Sequence, residues 1–511
     1  MHRGLPTKAI VVLLAGIGLA VPLRGAPLRA GAAKSIITPD VRSGTVYLAG
    51  FGQNRVATGV HDDLYVRCLA LGVGEKTLAI CAADVIGLFY EDVLKIRAKV
   101  QAEEPGVSHL IVTATHNHEG PDTLGIWGAS LFQSGVDVKY LDWLDGRIAQ
   151  TAVRAVRSMR DASLLLGRDD SPLLPLLQND SRPPYVKDPH LYVLRAVSAS
   201  DGKAIFTLVN WSDHPETLGG RNTEITADYP HWLCQYVEEH ASGTAVFVNG
   251  SIGGLLSSLG SQVALLDPET GEVAKDDTWK KAELMGALLG ELAMRALQRG
   301  EHVEVDSLVI RKSLVDVPLA NPVFRYDAGM GLFANRRPLY TDGKPDGRVE
   351  EHPIARFQRL AEKVLGPETA KVLAPQWAGL EVVKYAAGGD MRTEVDYVQL
   401  LNHGRSVAEI ATVPGEIYPE LVNGGITRYA GADFPTAPFE PTLRSHLKSP
   451  YQFVFGLAND ELGYLIPRAE WDDAPPWLMN RPERWYGEIN SCGPDVAGAV
   501  TRALVRLMGQ D

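Results

Sequence analysis

The sequence predicts an α/β fold of mixed β-sheets flanked by helices, and three observations carry that prediction. Hydrophobic residues make up 45% of the 511 residues and charged residues 22%, enough for a large core and unlike disordered, collagen-like or coiled-coil chains. Short, continuously apolar, β-branched runs recur along the chain, as strands buried on both faces require. Longer segments with apolar residues at helical spacing alternate with them. Lys+Arg 50 against Asp+Glu 62 gives a net charge of −12 with no basic block, which argues against nucleic acid as a partner.

In chain order, Arg3 and Lys8 precede the apolar run 9–21, and small residues follow up to Ala30-Gly31-Ala32, the three-part form of a secretory signal peptide. Cleavage is expected after Ala32, with export to the periplasm or the exterior. A membrane anchor is the alternative, but this run is shorter than the roughly 20 residues that cross a bilayer, and no later segment spans. Residues 1–32 hold four basic residues and no acidic one, so their loss takes the net charge from −12 to −16.

Segments 64–73 and 77–83 read as adjacent strands around the turn Gly72-Val73-Gly74-Glu75. Cys68 and Cys81 flank that turn, so they either form a disulfide or stay as buried free thiols. With Cys234 and Cys492 they make four cysteines without a CxxC pair, too scattered for a zinc ribbon or a disulfide scaffold. Val93, Leu94, Ile96 and Val100 mark a helix over 91–104. The sheet-core strand 109–115 empties into His116-Asn117-His118. Strand 204–210 empties into Trp211-Ser212-Asp213-His214, and strand 245–249 into Gly250-Ser251-Ile252. An Ala- and Leu-rich helix, 281–299, ends at Gly300. Strand 303–318 leads to a surface excursion, 319–356, rich in Gly, Pro, Asn and Arg. Strands 398–402 and 407–413 follow, the second emptying into Pro414-Gly415-Glu416. Strand 452–457 empties into the loop that ends at Tyr464, and 494–508 is the terminal helix. With no repeat and no flexible linker, 33–511 is expected to be one catalytic body.

Strand ends held by a rigid sheet are where α/β folds place their chemistry. His116 and His118, at i and i+2 in extended chain, point the same way and can share a site. Imidazole is the commonest neutral metal ligand, although a loop pair is also compatible with plain hydrogen bonding. His214 and Glu416, at two further strand ends, complete a His/His/Glu set of the kind that holds catalytic zinc with an open position. For Glu416 alone, a solvated turn residue is the competing reading.

Seven motifs occur in an order that resembles the neutral, non-lysosomal ceramidase family. They are Ile37-Thr38-Pro39, the segment 59–67, the segment 114–121 around the two histidines, Asn210-Trp211-Ser212-Asp213-His214-Pro215, Ile225-Thr226-Ala227-Asp228-Tyr229, Val413-Pro414-Gly415-Glu416 and Gly456-Leu457-Ala458-Asn459. The resemblance covers 33–511 and corresponds to that family's catalytic domain. An immunoglobulin-like C-terminal domain is expected to be missing, because Tyr464 lies 47 residues from the end. The resemblance implies a Zn2+ ion on His116, His214, Glu416 and Tyr464, with His118, Arg182 and Tyr486 lining the reacting centre. Zinc there would polarise an amide carbonyl and acidify a water, while His118, Arg182 or Tyr486 stabilise the developing oxyanion and His118 or a tyrosine protonates the leaving amine.

Two segments depart from the family's pattern. The loop 249–258 has Gly254 where the family has an acid, and its serines, Ser257 and Ser258, are displaced, so no serine role carries over. The segment 471–482 is longer and richer in Pro and Trp than usual and is expected to grip substrate. The expected function is an exported zinc-dependent amidohydrolase that cleaves the N-acyl bond of ceramide or a related N-acyl lipid, at a membrane surface. The alternatives are the same metal centre acting on another amide or ester, such as an acylated amino sugar, and a non-catalytic lipid- or glycan-binding protein.

Overall fold

Strands that are apolar at every position must bury both faces, and the chain meets that demand by stacking two sheets between layers of helices. The structure is a computed structural model that describes residues 1, 27–256, 263–334, 337–345 and 389–509. Most of the segment expected to be a leader, Ser257 and Ser258, and the end of the 319–356 excursion lie outside the described residues.

Among the described residues the larger sheet has nine strands. Its order is Thr244–Asn249, Ala204–Trp211, Leu191–Ser198, Arg160–Asp169, Arg29–Ile36, Tyr65–Val73, Lys76–Ala83 and His109–Ala114, with Glu301–Val303 also paired to Arg160–Asp169. The outermost pair at each end is parallel and the pairs between them are antiparallel. The second sheet is built on Ser307–Pro318, Asp390–Asn402, Arg405–Thr412 and Gln452–Phe455.

One face of the larger sheet packs on the second. Leu69, Leu71, Phe206, Leu208 and Val246 meet Val398, Leu400, Ile410, Phe453 and Phe455 in one buried cluster. Asn210 joins the two sheets within it, giving its amide N–H to the carbonyls of Val248 and Val454, both at 3.0 Å. The opposite face of the larger sheet is covered at one end by the helices Tyr90–Glu103 and Val138–Arg157 and at the other by Tyr229–Ala241 and Trp279–Gln298. The helix Val496–Met508 covers the far side of the second sheet. No helix among the described residues is long and apolar enough to cross a membrane.

The α/β architecture of mixed sheets flanked by helices is as expected, and several elements differ in detail. Helix Val138–Arg157 and strands Arg160–Asp169 and Leu191–Ser198 are not read from local pattern. The first of those strands is interrupted by Arg160, Asp161, Ser163 and Arg168, and its sheet neighbours decide its state. The strand expected at 398–402 begins at Asp390, paired along its length with Ser307–Pro318. The excursion contains the helix Pro322–Met330, capped by the Asn321 side chain.

The cleavage expected after Ala32 falls within a sheet strand. Arg29–Ile36 is a strand paired residue by residue with Tyr65–Val73, and Ala30 is fully buried, so cleavage there would cut a sheet strand in half. The reading of Cys68 and Cys81 as free thiols gives way. They lie opposite each other in the hairpin and are joined, with the sulfurs 2.00 Å apart, whereas Cys234 and Cys492 are buried free thiols.

Candidate metal centre

Four chain segments build the centre, each at the end of a strand. After His109–Ala114 the backbone turns at His116, which sits at φ +64°, a left-handed conformation that swings its imidazole inward. After Ala204–Trp211 comes His214. Asn249, the last residue of its strand, ties these two loops together: its side-chain amide donates to the Thr115 carbonyl at 2.8 Å, and its side-chain oxygen accepts from the Asp213 N–H at 3.1 Å. Glu416 and Tyr464 are register partners in a two-residue parallel pairing, Glu416–Ile417 beside Tyr464–Leu465, which sets them side by side. Gly415, at φ +146°, allows the close approach, since a Cβ there would stand 2.6 Å from the Gly463 carbonyl oxygen.

The two outer histidines are oriented from behind. His116 Nδ1–H donates to the Ile86 carbonyl at 2.8 Å and His214 Nδ1–H to the Leu255 carbonyl at 2.6 Å, which points both Nε2 atoms inward. They converge on one oxygen: Glu416 Oε2 is 3.0 Å from His214 Nε2 and 3.5 Å from His116 Nε2. Tyr464 hydrogen-bonds the same carboxylate. His118 completes the group, with ring nitrogens of all three histidines within 4.8 Å of one another. Its ring lies 4.9 Å from that of His116 and 5.3 Å from that of His214, and neither of its nitrogens makes a hydrogen bond, although Nδ1 is 3.3 Å from Glu216 Oε2.

Burial is the largest influence on every member. It pulls His116 down to about 4, against the Glu416 charge, and, with the neighbouring histidines, holds His118 well below the usual imidazole range. Burial acts on His214 in the same direction, but the hydrogen bond and charge of Glu416 overcome it and raise that imidazole. Burial alone would raise Glu416; the imidazoles of His116 and His214 reverse this and hold it below the usual carboxyl range. The tyrosines are pushed up by burial and by Glu416, Tyr486 to about 12. Two inward-facing imidazoles, an ionised carboxylate and a phenol hydroxyl, all buried, are a donor set that fits zinc.

The centre forms the foot of a cleft whose wall is mostly apolar, with Phe89, Leu124, Trp127, Phe324, Phe333 and Met391. His116, His118, Glu416, Tyr464 and Tyr486 all line it. The Tyr486 ring stands edge-on to that of Tyr464, with centroids 5.7 Å apart. Arg182 is not brought to the cleft wall. Its guanidinium is buried behind Tyr486, held at 2.9 Å by Glu488, at 2.7 Å by the Glu470 carbonyl and at 3.4 Å by the carbonyl of Tyr486 itself. Nor does the segment 471–482 line the cleft; Tyr486, Asn490 and Cys492, just beyond it, do.

Three contributors escape sequence reasoning. Gly50 makes room for His118, Asn249 ties the histidine loops, and Glu461 lines the cleft beside the centre. Local pattern marks none of them, since each matters only through a contact distant in sequence. A second buried group, His109, Glu394 and Asp396, has ligand-like geometry but contains its own cation: Arg97 binds Glu394 at 2.6 Å, and His109 and Asn459 bind Asp396. It reads as a joint between the sheets.

Comparison with known proteins bears on the fold. No family model and no curated protein matches the sequence. Among solved structures, the neutral ceramidase from Pseudomonas aeruginosa superposes with a TM-score of 0.63 at 15% identity, over 95% of this chain and 74% of that one. A ceramidase complexed with C2 superposes with the same score at 16% identity, over 94% of this chain and 75% of that one. The four-layer arrangement is thus the neutral ceramidase fold.

Proposed function

We propose that the chain is an exported, metal-dependent hydrolase that uses zinc to cleave the N-acyl amide bond of ceramide or a related N-acyl lipid. The observation that carries this reading is the convergence of His116, His214 and Glu416 at the foot of an apolar cleft. That solved structures of the same fold are ceramidases supports the substrate class.

Zinc bound by His116, His214, Glu416 and Tyr464 would supply Lewis-acid polarisation of the amide carbonyl and acidify a water. The chain's own groups do the rest. The apolar wall takes the acyl chain and excludes bulk water from the bond. Tyr486, whose hydroxyl holds its proton, donates to the carbonyl oxygen as negative charge develops there. His118, neutral in the resting site, receives a proton at a ring nitrogen and returns it to the departing amine. Arg182 acts one step removed, fixing the backbone that carries Tyr486. The substrate enters from a membrane or micelle surface.

Metal analysis of the purified protein tests this directly. About one zinc per chain is expected, lost in His116→Ala and in His214→Ala. Release of amine from N-acyl substrates should then depend on acyl length. A wild type that takes up no zinc, or a zinc-loaded chain inert on every N-acyl lipid, sinks the reading.

A further inference from the structure

One carboxyl oxygen of the cleft wall is left over once the metal centre is accounted for. Away from the centre, Asn490 and Cys492 are matched by hydrogen bonds, and Arg337 is held between carboxylates although its Nε makes no hydrogen bond. Arg337 grips Asp460 through two bonds of 2.9 and 2.6 Å and lies 3.4 Å from Glu91. Asn490 donates to the Tyr486 hydroxyl, and Cys492 to the Leu462 carbonyl. Glu461 differs from these. Its Oε1 accepts from the Gly463 N–H at 2.8 Å, whereas its Oε2 is buried without a partner. The residue is 6% exposed, and an unmatched oxygen at that depth is costly unless something arrives to match it.

The surroundings are arranged for this side chain. A Cβ on Gly87 would stand 3.0 Å from its Cγ and 3.1 Å from its Cβ, so glycine at 87 leaves the room that Glu461 occupies. Gly463 also links it to the centre, because the same residue gives its N–H to Glu461 and takes the Glu416 N–H on its carbonyl at 3.0 Å. The leftover oxygen therefore belongs to a carboxyl held one peptide unit from the carboxylate that the histidines share.

We propose that Glu461 is a specificity residue that hydrogen-bonds a hydroxyl group on the amine half of the substrate, a few bonds from the amide that is cleaved. The proposal deepens the hydrolase reading and rests on it. A hydroxyl matches this oxygen in either protonation state, because it donates to a carboxylate and accepts from a carboxylic acid. Burial, reinforced by the Glu416 charge, raises Glu461 well above the usual carboxyl range, which favours a neutral hydroxyl over an ammonium group. The amine half is chosen because the carboxyl stands beside the centre, while the aromatic wall offers an acyl tail apolar contact.

Two uncleavable probes test this: the dodecanesulfonamide of ethanolamine and that of ethylamine, which differ by one hydroxyl. Calorimetric binding to the full chain should give about tenfold tighter binding of the hydroxyl probe, the size of one good hydrogen bond. Glu461→Leu should bring the ratio to about one, and Glu461→Gln, which keeps a hydrogen-bonding end, should retain most of it. If Glu461 merely braces its loop, Glu461→Leu weakens both probes alike and the ratio survives, which overturns the proposal. A wild type without the preference overturns it as well. Binding is read without turnover, so a chain that shows the preference yet cleaves no amide defeats the hydrolase reading and leaves the role of Glu461 standing.

Discussion

A Cβ at Gly50, where φ is +97°, would stand 2.3 Å from Cγ of His118, so the imidazole occupies space that only glycine leaves. Gly50→Ala should displace His118 while leaving His116, His214 and Glu416 in place. The expected outcome is a drop of about 100-fold in kcat with zinc content unchanged; loss of zinc together with activity would count against it. Arg182 makes the opposite kind of contribution. Its side chain is buried against Glu488, so Arg182→Met leaves a carboxylate without its cation and should cost about 3–5 kcal/mol in urea unfolding. A residue that acted only on substrate would leave the unfolding midpoint where it was. The histidines are legible in sequence because HxH at a strand end is a local signal. The placing of Arg182 is not, since Glu488 lies 306 residues away.

At the scale of elements, short pairings do much of the assembly. Glu416–Ile417 and Tyr464–Leu465 are two residues each, too short for any strand signal, yet their register sets both side chains in the centre. The strand Arg29–Ile36 is similar: in sequence its small residues resemble the end of a leader, and only the pairing with Tyr65–Val73 makes them a sheet. A chain that begins at Ala33 lacks the pairs from Arg29↔Gly72 to Ala32↔Leu69 and should melt several degrees below one that begins at Pro27. Equal melting temperatures would show that this half of the strand contributes nothing. The hairpin around Gly74 was readable from its turn residues and apolar flanks, but whether Cys68 met Cys81 depended on register, which the turn sets only once both strands pair.

For the molecule as a whole, stability is tied to pH through carboxyls buried where elements meet. Asp145, on the helix Val138–Arg157, has neither oxygen hydrogen-bonded, and burial, with Asp92 close by, pushes it up to about 8. The unfolded chain releases this proton near pH 4, so between about pH 4 and 8 the folded state binds more protons and stability falls as pH rises. Asp145→Asn should therefore melt above wild type at pH 8, with the gap closing toward pH 5; a gap independent of pH would contradict this.

The sequence by itself determined the α/β class, the strands that empty into His116, His214 and Glu416, and the donor types available to a metal. These depend on periodicity and residue chemistry within about ten positions, which local sterics and burial read directly. Only the tertiary structure decided that His214 meets Glu416 across 202 residues, that Arg182 faces away from the cleft and that Glu461 lines it with an oxygen unmatched. Those outcomes follow from sheet register and close packing, which are properties of the assembled chain and have no local signature.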